Sequence, residues 1–225
     1  MVAGFGAFGK IPSLGDFFRL DLPHGFVEPW DNWLQAAIVS ARDKLGEAWN
    51  ARYLSAPIWR FSLPPGQAGP QAVSGVLMAS VDRVGRQFPL TLAAPHDEED
   101  VAAVHFCNIP AFETLETVAL QALDDSMTRD ALQSRLESVA LRPPGSITTV
   151  LHPGGSSWQS DGPMVPVLAA QKIAVRPRSC GVWSTSLEGD HRIMLCDGLP
   201  NAGQVAGLFD LDAAIWMAPT TEVAK

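Results

Sequence analysis

Three short apolar segments follow one another closely in the first half of this 225-residue chain, and their spacing constrains the fold more than any other feature. They cover residues 57–63, 73–81 and 88–93 and are rich in Val, Leu, Phe and Trp, which favour strands. Parallel neighbours in a sheet need a crossover of about a dozen residues or more, and both connections here are shorter. The spacing therefore predicts an antiparallel meander.

Helical periodicity surrounds this meander in the sequence. Residues 29–46 place Trp30, Leu34 and further apolar residues at three- and four-residue spacing, which makes one apolar helix face. Two more helices are predicted after the meander, one capped by Asn108 and the other by Thr128, because both residue types accept hydrogen bonds from free helical N–H groups.

The last third of the chain mixes strands and helices. A strand is predicted at 147–152, followed by a glycine-rich loop and a helix at 163–172. Alternating segments at 180–187 and 191–196 flank the turn residues Glu188-Gly189-Asp190 and predict a hairpin with a three-residue turn.

Together these elements predict an α/β (α+β) fold with a mixed, largely antiparallel central sheet sandwiched by helices. Longin- and profilin-like sandwiches offer an analogy for this order of elements, although a fold alone implies no function. No repeat or linker divides the chain, so a single domain over residues 1–225 is expected. A two-lobe division at the proline-rich break, residues 143–145, stays open as the alternative.

The charge balance narrows the classes of partner. Lys and Arg number 16 against 24 Asp and Glu, which gives a net charge of −8. Because an acidic chain without a basic run repels phosphate backbones, no nucleic-acid partner is expected. No apolar run is long enough to insert into a membrane, and the N-terminus lacks the pattern of a signal peptide. The sparse cysteines, Cys107, Cys180 and Cys196, are typical of a reducing compartment, and a cytoplasmic location is expected.

Patterns that bind metals or nucleotides are incomplete. The histidines and cysteines form neither H-x₃-H nor C-x₂-C pairs, and the hairpin register predicts Cys180 and Cys196 as reduced core residues on one face. Gly4, Gly6 and Gly9 match G-x-G-x-x-G, but a nucleotide site requires a helix directly after the last glycine, and Ile11-Pro12 follows instead. A strand packed closely against its neighbour is favoured, and neither metal nor cofactor is expected.

Nucleophilic catalysis has weak support. Ser157 and Ser184 are candidate nucleophiles, and His152 or His191 is available as a base. Neither serine lies in the G-x-S-x-G turn of serine hydrolases. We therefore expect no enzyme, and a small hydrolase that uses a Ser/His pair stays the alternative.

Two polar turns offer a candidate partner-binding surface. One carries Lys10 and Asp16, and the other carries Asp82, Arg83 and Arg86. Polar groups on loops beside aromatic residues are common in protein interfaces. The two arginines, spaced around a glycine, can form a fork for a carboxylate or a phosphate such as phosphothreonine. Alternatively, Asp82 pairs with one arginine and only braces its own turn.

The same segments carry a resemblance to a known family. The chain resembles TagF (also called ImpM), an accessory protein of bacterial type VI secretion systems, and the 80–90 segment is similar to the family's most distinctive block. The resemblance covers most of the chain in the same order, while residues 97–145 match by helical character. The similar segments are 6–17 (GAFGKIPSLGDF), 30–34 (WDNWL), 57–61 (PIWRF), 80–90 (SVDRVGRQFPL), 183–186 (WSTS) and 198–200 (GLP).

This resemblance implies a cytoplasmic regulator without catalytic activity. TagF-like proteins repress the secretion apparatus after translation, and they are thought to do so by binding its forkhead-associated-domain scaffold protein. The resemblance supplies no catalytic residue to transfer to this sequence. Lys10, Asp16, Asp82, Arg83 and Arg86 therefore remain candidates for a surface that contacts this scaffold.

Overall fold

The computed structural model of the chain describes residues 4–145, 147–153, 155–160, 169 and 180–217. The predicted helix at 163–172 lies, apart from residue 169, outside the described residues.

A seven-stranded sheet forms the centre of the structure, and every pairing in it is antiparallel. In chain order its strands are β1 (Gly6–Gly9), β2 (Phe18–Leu20), β3 (Trp59–Leu63), β4 (Ala72–Met78), β5 (Leu90–His96), β8 (Cys180–Leu187) and β9 (Asp190–Asp197). Their order in the sheet is β2-β1-β5-β4-β3-β8-β9, so the predicted meander forms the middle of the sheet. The hairpin β8–β9 adds to β3, and strands on both sides of residues 143–145 belong to this one sheet. The two remaining strands, β6 (Ile147–His152) and β7 (Gly155–Ser160), pair with each other in a separate sheet.

Helices cover both faces of the sheet, which confirms the predicted sandwich. On one face, Trp30 packs within 4.9 Å of Phe61 and stacks parallel to Trp183, measured between ring centroids. On the other face, Phe112 and Leu115 join Leu92 in a second core. The first face carries α1 (Val27–Leu45), α2 (Trp49–Leu54) and α6 (Ala206–Phe209), and the second carries α3 (Val101–Cys107), α4 (Ile109–Gln121) and α5 (Arg129–Glu137).

Side-chain caps set the boundaries of two of these helices. The Thr128 hydroxyl accepts a hydrogen bond from the Ala131 N–H, as predicted. The Asp100 carboxylate caps α3 in the same way, and this short helix was not predicted as a separate element. Asn108 occupies the N-cap position of α4 as predicted, but the prediction of a side-chain cap was wrong, because this side chain exchanges hydrogen bonds with the backbone of Arg142.

Two predictions for the last third were also wrong. Residues 155–160 form a strand and not a loop. The β8–β9 turn contains only Glu188 and Gly189, whose φ angles of 52° and 92° are those of a tight two-residue turn. The register therefore shifts by one residue, so that Cys180 pairs with Asp197 and Cys196 pairs with Gly181. Because side chains alternate along a strand, the two cysteines lie on opposite faces of the sheet.

Candidate functional site

The two polar turns meet at the Asp82 carboxylate. Its Oδ2 accepts hydrogen bonds from Lys10 Nζ at 2.9 Å and from Arg86 Nε at 2.6 Å. Its Oδ1 accepts the backbone N–H groups of Val84 at 3.1 Å and Arg86 at 2.9 Å. Asp82 and Lys10 are only 2% and 5% exposed, so this ion pair is buried beneath the surface.

These partners keep the Asp82 carboxylate ionised. Burial alone raises the pKa of a carboxyl group, because it removes water from the charged form. Here the Arg86 N–H, the Lys10 ammonium, the Arg86 guanidinium and the Val84 N–H outweigh burial and hold the pKa of Asp82 well below its ordinary range. Asp82 therefore acts as a fixed negative centre between two cations.

Carbonyl groups of the first turn bind the arginines of the second turn. Arg86 Nη2 donates to Gly15 O at 2.7 Å, and Arg83 Nη2 donates to Ser13 O at 2.8 Å. The Arg83 N–H also donates to Leu14 O at 3.1 Å. Residues 10–17 and 82–86 are thus cross-linked, and we refer to them as the two-turn cluster.

The outer surface of the two-turn cluster is partly apolar. Phe17 is 47% exposed and Val84 is 72% exposed. The Phe17 ring packs edge-on against Phe88 at 4.7 Å, and its face lies 4.7 Å from Lys10 Nζ. The sequence identified Phe17 beside the polar turn but not Val84, although a valine at a turn between two arginines was the available signal.

The structure brings together four of the five candidate residues. Lys10 and Arg86 both bind Asp82, and Arg83 joins them through the neighbouring carbonyls. Asp16 takes no part in this network, because its carboxylate accepts the N–H of the next residue at 2.8 Å. The Asp82–Arg86 pair is the contact that the bracing interpretation predicted.

The glycine motif serves strand packing. Gly6 and Gly9 lie in β1 between β2 and β5, and turns follow instead of a helix. A Cβ atom at Gly6 would overlap the backbone of Leu20 and Asp21, and one at Gly9 would overlap the carbonyl of Pro89. This confirms the predicted strand with a closely packed neighbour and leaves the motif without the helix that a nucleotide site requires.

A buried hydrogen-bonded chain lies on the α3 face of the sheet, and sequence reasoning missed it. His105 Nε2 lies 2.7 Å from Ser184 Oγ, and its Nδ1 lies 3.0 Å from Ser62 Oγ. The chain continues from Ser62 to Ser74 at 2.8 Å and on to His96 Nε2 at 3.0 Å. Ser184 therefore has a histidine partner, but neither of those that the sequence suggested.

The chemistry of these hydrogen-bonded side chains favours a structural role. His105 is completely buried, and burial, with a smaller contribution from the charge of Arg60, lowers its pKa to about 3. A general base is most effective when its pKa lies near the working pH. In addition, the group facing Nδ1 is the Ser62 hydroxyl and not a carboxylate that would stabilise an imidazolium ion.

In the part of the chain that the structure describes, neither a cluster of metal ligands nor a membrane-spanning helix is present. No set of three or more His, Cys, Asp and Glu side chains is placed there to hold a metal ion. No helix among those residues combines the length and apolar character that a membrane crossing requires.

Comparisons with known proteins identify the family. Residues 6–139 match the family described as TagF N-terminal domain, type VI secretion system-associated. The crystal structure of PA0076 from Pseudomonas aeruginosa PAO1 is similar, with 31% sequence identity and a TM-score of 0.76 over 93% of this chain and 95% of that one. No match was found among curated proteins. With more than half of its length matched, and with the two-turn cluster inside the matched segment, the chain belongs to the TagF family of type VI secretion system-associated proteins.

Proposed function

We propose that this protein is a cytoplasmic regulator that represses the type VI secretion system after translation by binding its forkhead-associated-domain scaffold protein. Family membership supports the association with this secretion system. The two-turn cluster is the surface that we assign to partner binding.

The observation that carries this proposal is the buried Lys10–Asp82–Arg86 network. A buried charge stays favourable only when it is paired and hydrogen-bonded, and Asp82 accepts four such bonds. The network joins the two turns and supports the exposed Phe17 and Val84. Surfaces ordered before binding lose less conformational entropy on association, and aromatic and arginine side chains are enriched in interfaces.

The alternative, a small hydrolase, is supported less well. The candidate nucleophile Ser184 contacts a completely buried His105 whose pKa is low. The side chain of Ser157 lies outside the described residues, so the geometry adds nothing in its favour.

The proposal is tested by one substitution at the exposed tip of the cluster. Val84→Asp removes the apolar contact and leaves the buried network in place, because the Val84 side chain contributes nothing to that network. We expect this variant to lose binding to the purified scaffold protein and to release repression of secretion in cells.

Leu120→Asp is the matched control. Leu120 lies on α4, which packs on the face of the sheet opposite α1, and is 57% exposed. We expect this variant to bind and to repress as the unmodified protein does. Equal binding by the Val84→Asp variant, with its fold verified by circular dichroism, would contradict the proposed surface.

A further inference from the structure

We propose that the two-turn cluster binds an acidic segment of its protein partner, with carboxylate groups held by Arg42 and Arg83 around an apolar contact at Phe17 and Val84. This inference rests on the proposed function, and it adds the chemistry of the partner and a further contact residue, Arg42. That residue lies on α1, outside both turns.

Arg42 is connected to the cluster through Gln87. Gln87 follows directly after the second turn, and its side-chain oxygen accepts hydrogen bonds from Arg42 Nη2 at 3.0 Å and from Trp49 Nε1 at 2.7 Å. The Arg42 guanidinium also lies over the Trp49 ring, 5.4 Å from its centroid. Arg42 is therefore held beside the 82–86 turn by neutral groups.

The positive charges of Arg42 and Arg83 are not compensated by carboxylates among the described residues. Arg83 donates to the Ser13 carbonyl, and Arg42 donates to the Gln87 amide. Neutral acceptors fix the direction of a guanidinium without cancelling its charge. Arg86 differs, because its Nε is occupied by Asp82 and its Nη2 by the Gly15 carbonyl. Arg42 and Arg83 are therefore oriented but uncompensated, in contrast to Arg86.

This arrangement suits an acidic protein segment better than a nucleic acid. The whole chain carries a net charge of −8, which repels a long polyanion at a distance. In addition, Phe17 and Val84 expose apolar surface that a phosphate backbone would leave unmatched, whereas a polypeptide can place carboxylates beside an apolar side chain. Bidentate arginine–carboxylate pairs at the rim of the interface then orient the bound segment.

The test compares two double variants in binding to the purified scaffold protein over a range of salt concentrations. Arg42→Gln with Arg83→Gln removes both uncompensated charges. The control is Arg129→Gln with Arg135→Gln on α5, which lies on the opposite face of the sheet. The control residues have the same kinds of hydrogen-bond partner as Arg83 and Arg42. Arg129 donates to a backbone carbonyl, as Arg83 does, and Arg135 donates to the side-chain oxygen of Gln121, as Arg42 does to that of Gln87.

We expect the first double variant to bind at least about tenfold more weakly at low salt and to show a flatter salt dependence, since the attraction it removes is screened by ions. The control is expected to retain the affinity and salt dependence of the unmodified protein. Unchanged affinity of the first variant, with the unmodified protein binding normally, would overturn the inference and leave the proposed function intact.

Two further outcomes of the binding experiment lead to different conclusions. If the unmodified protein does not bind the scaffold at any salt concentration, the proposed function fails and this inference fails with it. A random-sequence DNA duplex serves as the second probe. Binding of this duplex more tightly than the scaffold, with loss in the first double variant, would assign the surface to nucleic acid and overturn the acidic-segment inference.

Discussion

The buried His105 makes a definite prediction about stability at mildly acidic pH. In the folded protein its ring is completely buried between Ser62 and Ser184, and its pKa is lowered to about 3. In the unfolded chain the same ring has an ordinary pKa of 6.5. Below that pH the unfolded state therefore binds a proton that the folded state excludes, and stability falls as the pH falls toward 3.

The magnitude follows from the two pKa values of His105. At pH 7 the His105 ring of the unfolded chain is mostly neutral, and the effect is only about 0.2 kcal/mol. At pH 5 the unfolded ring is almost fully protonated while the folded ring stays neutral, which costs about 2 kcal/mol of unfolding free energy. The charge of Arg60 on β3 also lowers the pKa of His105, and Arg60 is paired with Glu116 on α4 through two hydrogen bonds of 2.6 and 2.8 Å.

The assay is urea unfolding of the unmodified protein and of a His105→Gln variant, each at pH 7 and at pH 5. Glutamine keeps a polar side chain at this position but cannot titrate, so the variant lacks the proton uptake on unfolding. The decisive quantity is the loss between pH 7 and pH 5, which should be about 2 kcal/mol larger in the unmodified protein. His96, whose pKa is also lowered by burial, is present in both proteins and cancels. An equal loss in the two proteins would refute the reasoning.

Three other substitutions test contacts described above. Asp82→Asn leaves Lys10 without its buried counter-charge, so it should lower the urea midpoint and abolish scaffold binding. Because the pKa of Asp82 is lowered on folding, the difference in midpoint should shrink as the pH falls below about 4, and a constant difference would exclude an ionic cause. Tyr53→Phe removes the hydroxyl that bonds both the N–H and the carbonyl of Ser80, and thermal unfolding should show a loss of about 1–3 kcal/mol. Thr128→Ala removes the cap of α5 and should cost about 1 kcal/mol, with little effect on scaffold binding.

The parts of the fold that the sequence predicted are those determined by local patterns. The long first helix follows from apolar residues at helical spacing, and the meander follows from short connections. The hairpin register was missed because one residue decides it. Glu188 adopts a positive φ of 52°, which is unusual for a side chain of this kind, and the turn therefore closes with two residues instead of three.

In the candidate site, too, the sequence predicted a contact between neighbouring residues but missed the contacts between residues far apart in the chain. The pairing of Asp82 with Arg86 is a contact between neighbours, and the sequence anticipated it. The bond from Lys10 to Asp82 joins residues 72 positions apart, and nothing in either turn indicates the other. The contact between His105 and Ser184 likewise depends on α3 crossing β8, which no motif predicts.

The strand pairing explains why the two turns meet. β1 and β5 are antiparallel, with Phe8 opposite Thr91, so the residues after β1 lie beside those that lead into β5. Gly9 permits this approach, because its φ of 132° and its missing side chain leave room for the Pro89 carbonyl. Lys10 is thereby brought to Asp82 at the start of the turn that leads into β5. A single arrangement thus accounts for the glycine motif and for the polar turns: the glycines allow close strand contact, and this contact assembles the buried ion pair that supports the exposed surface.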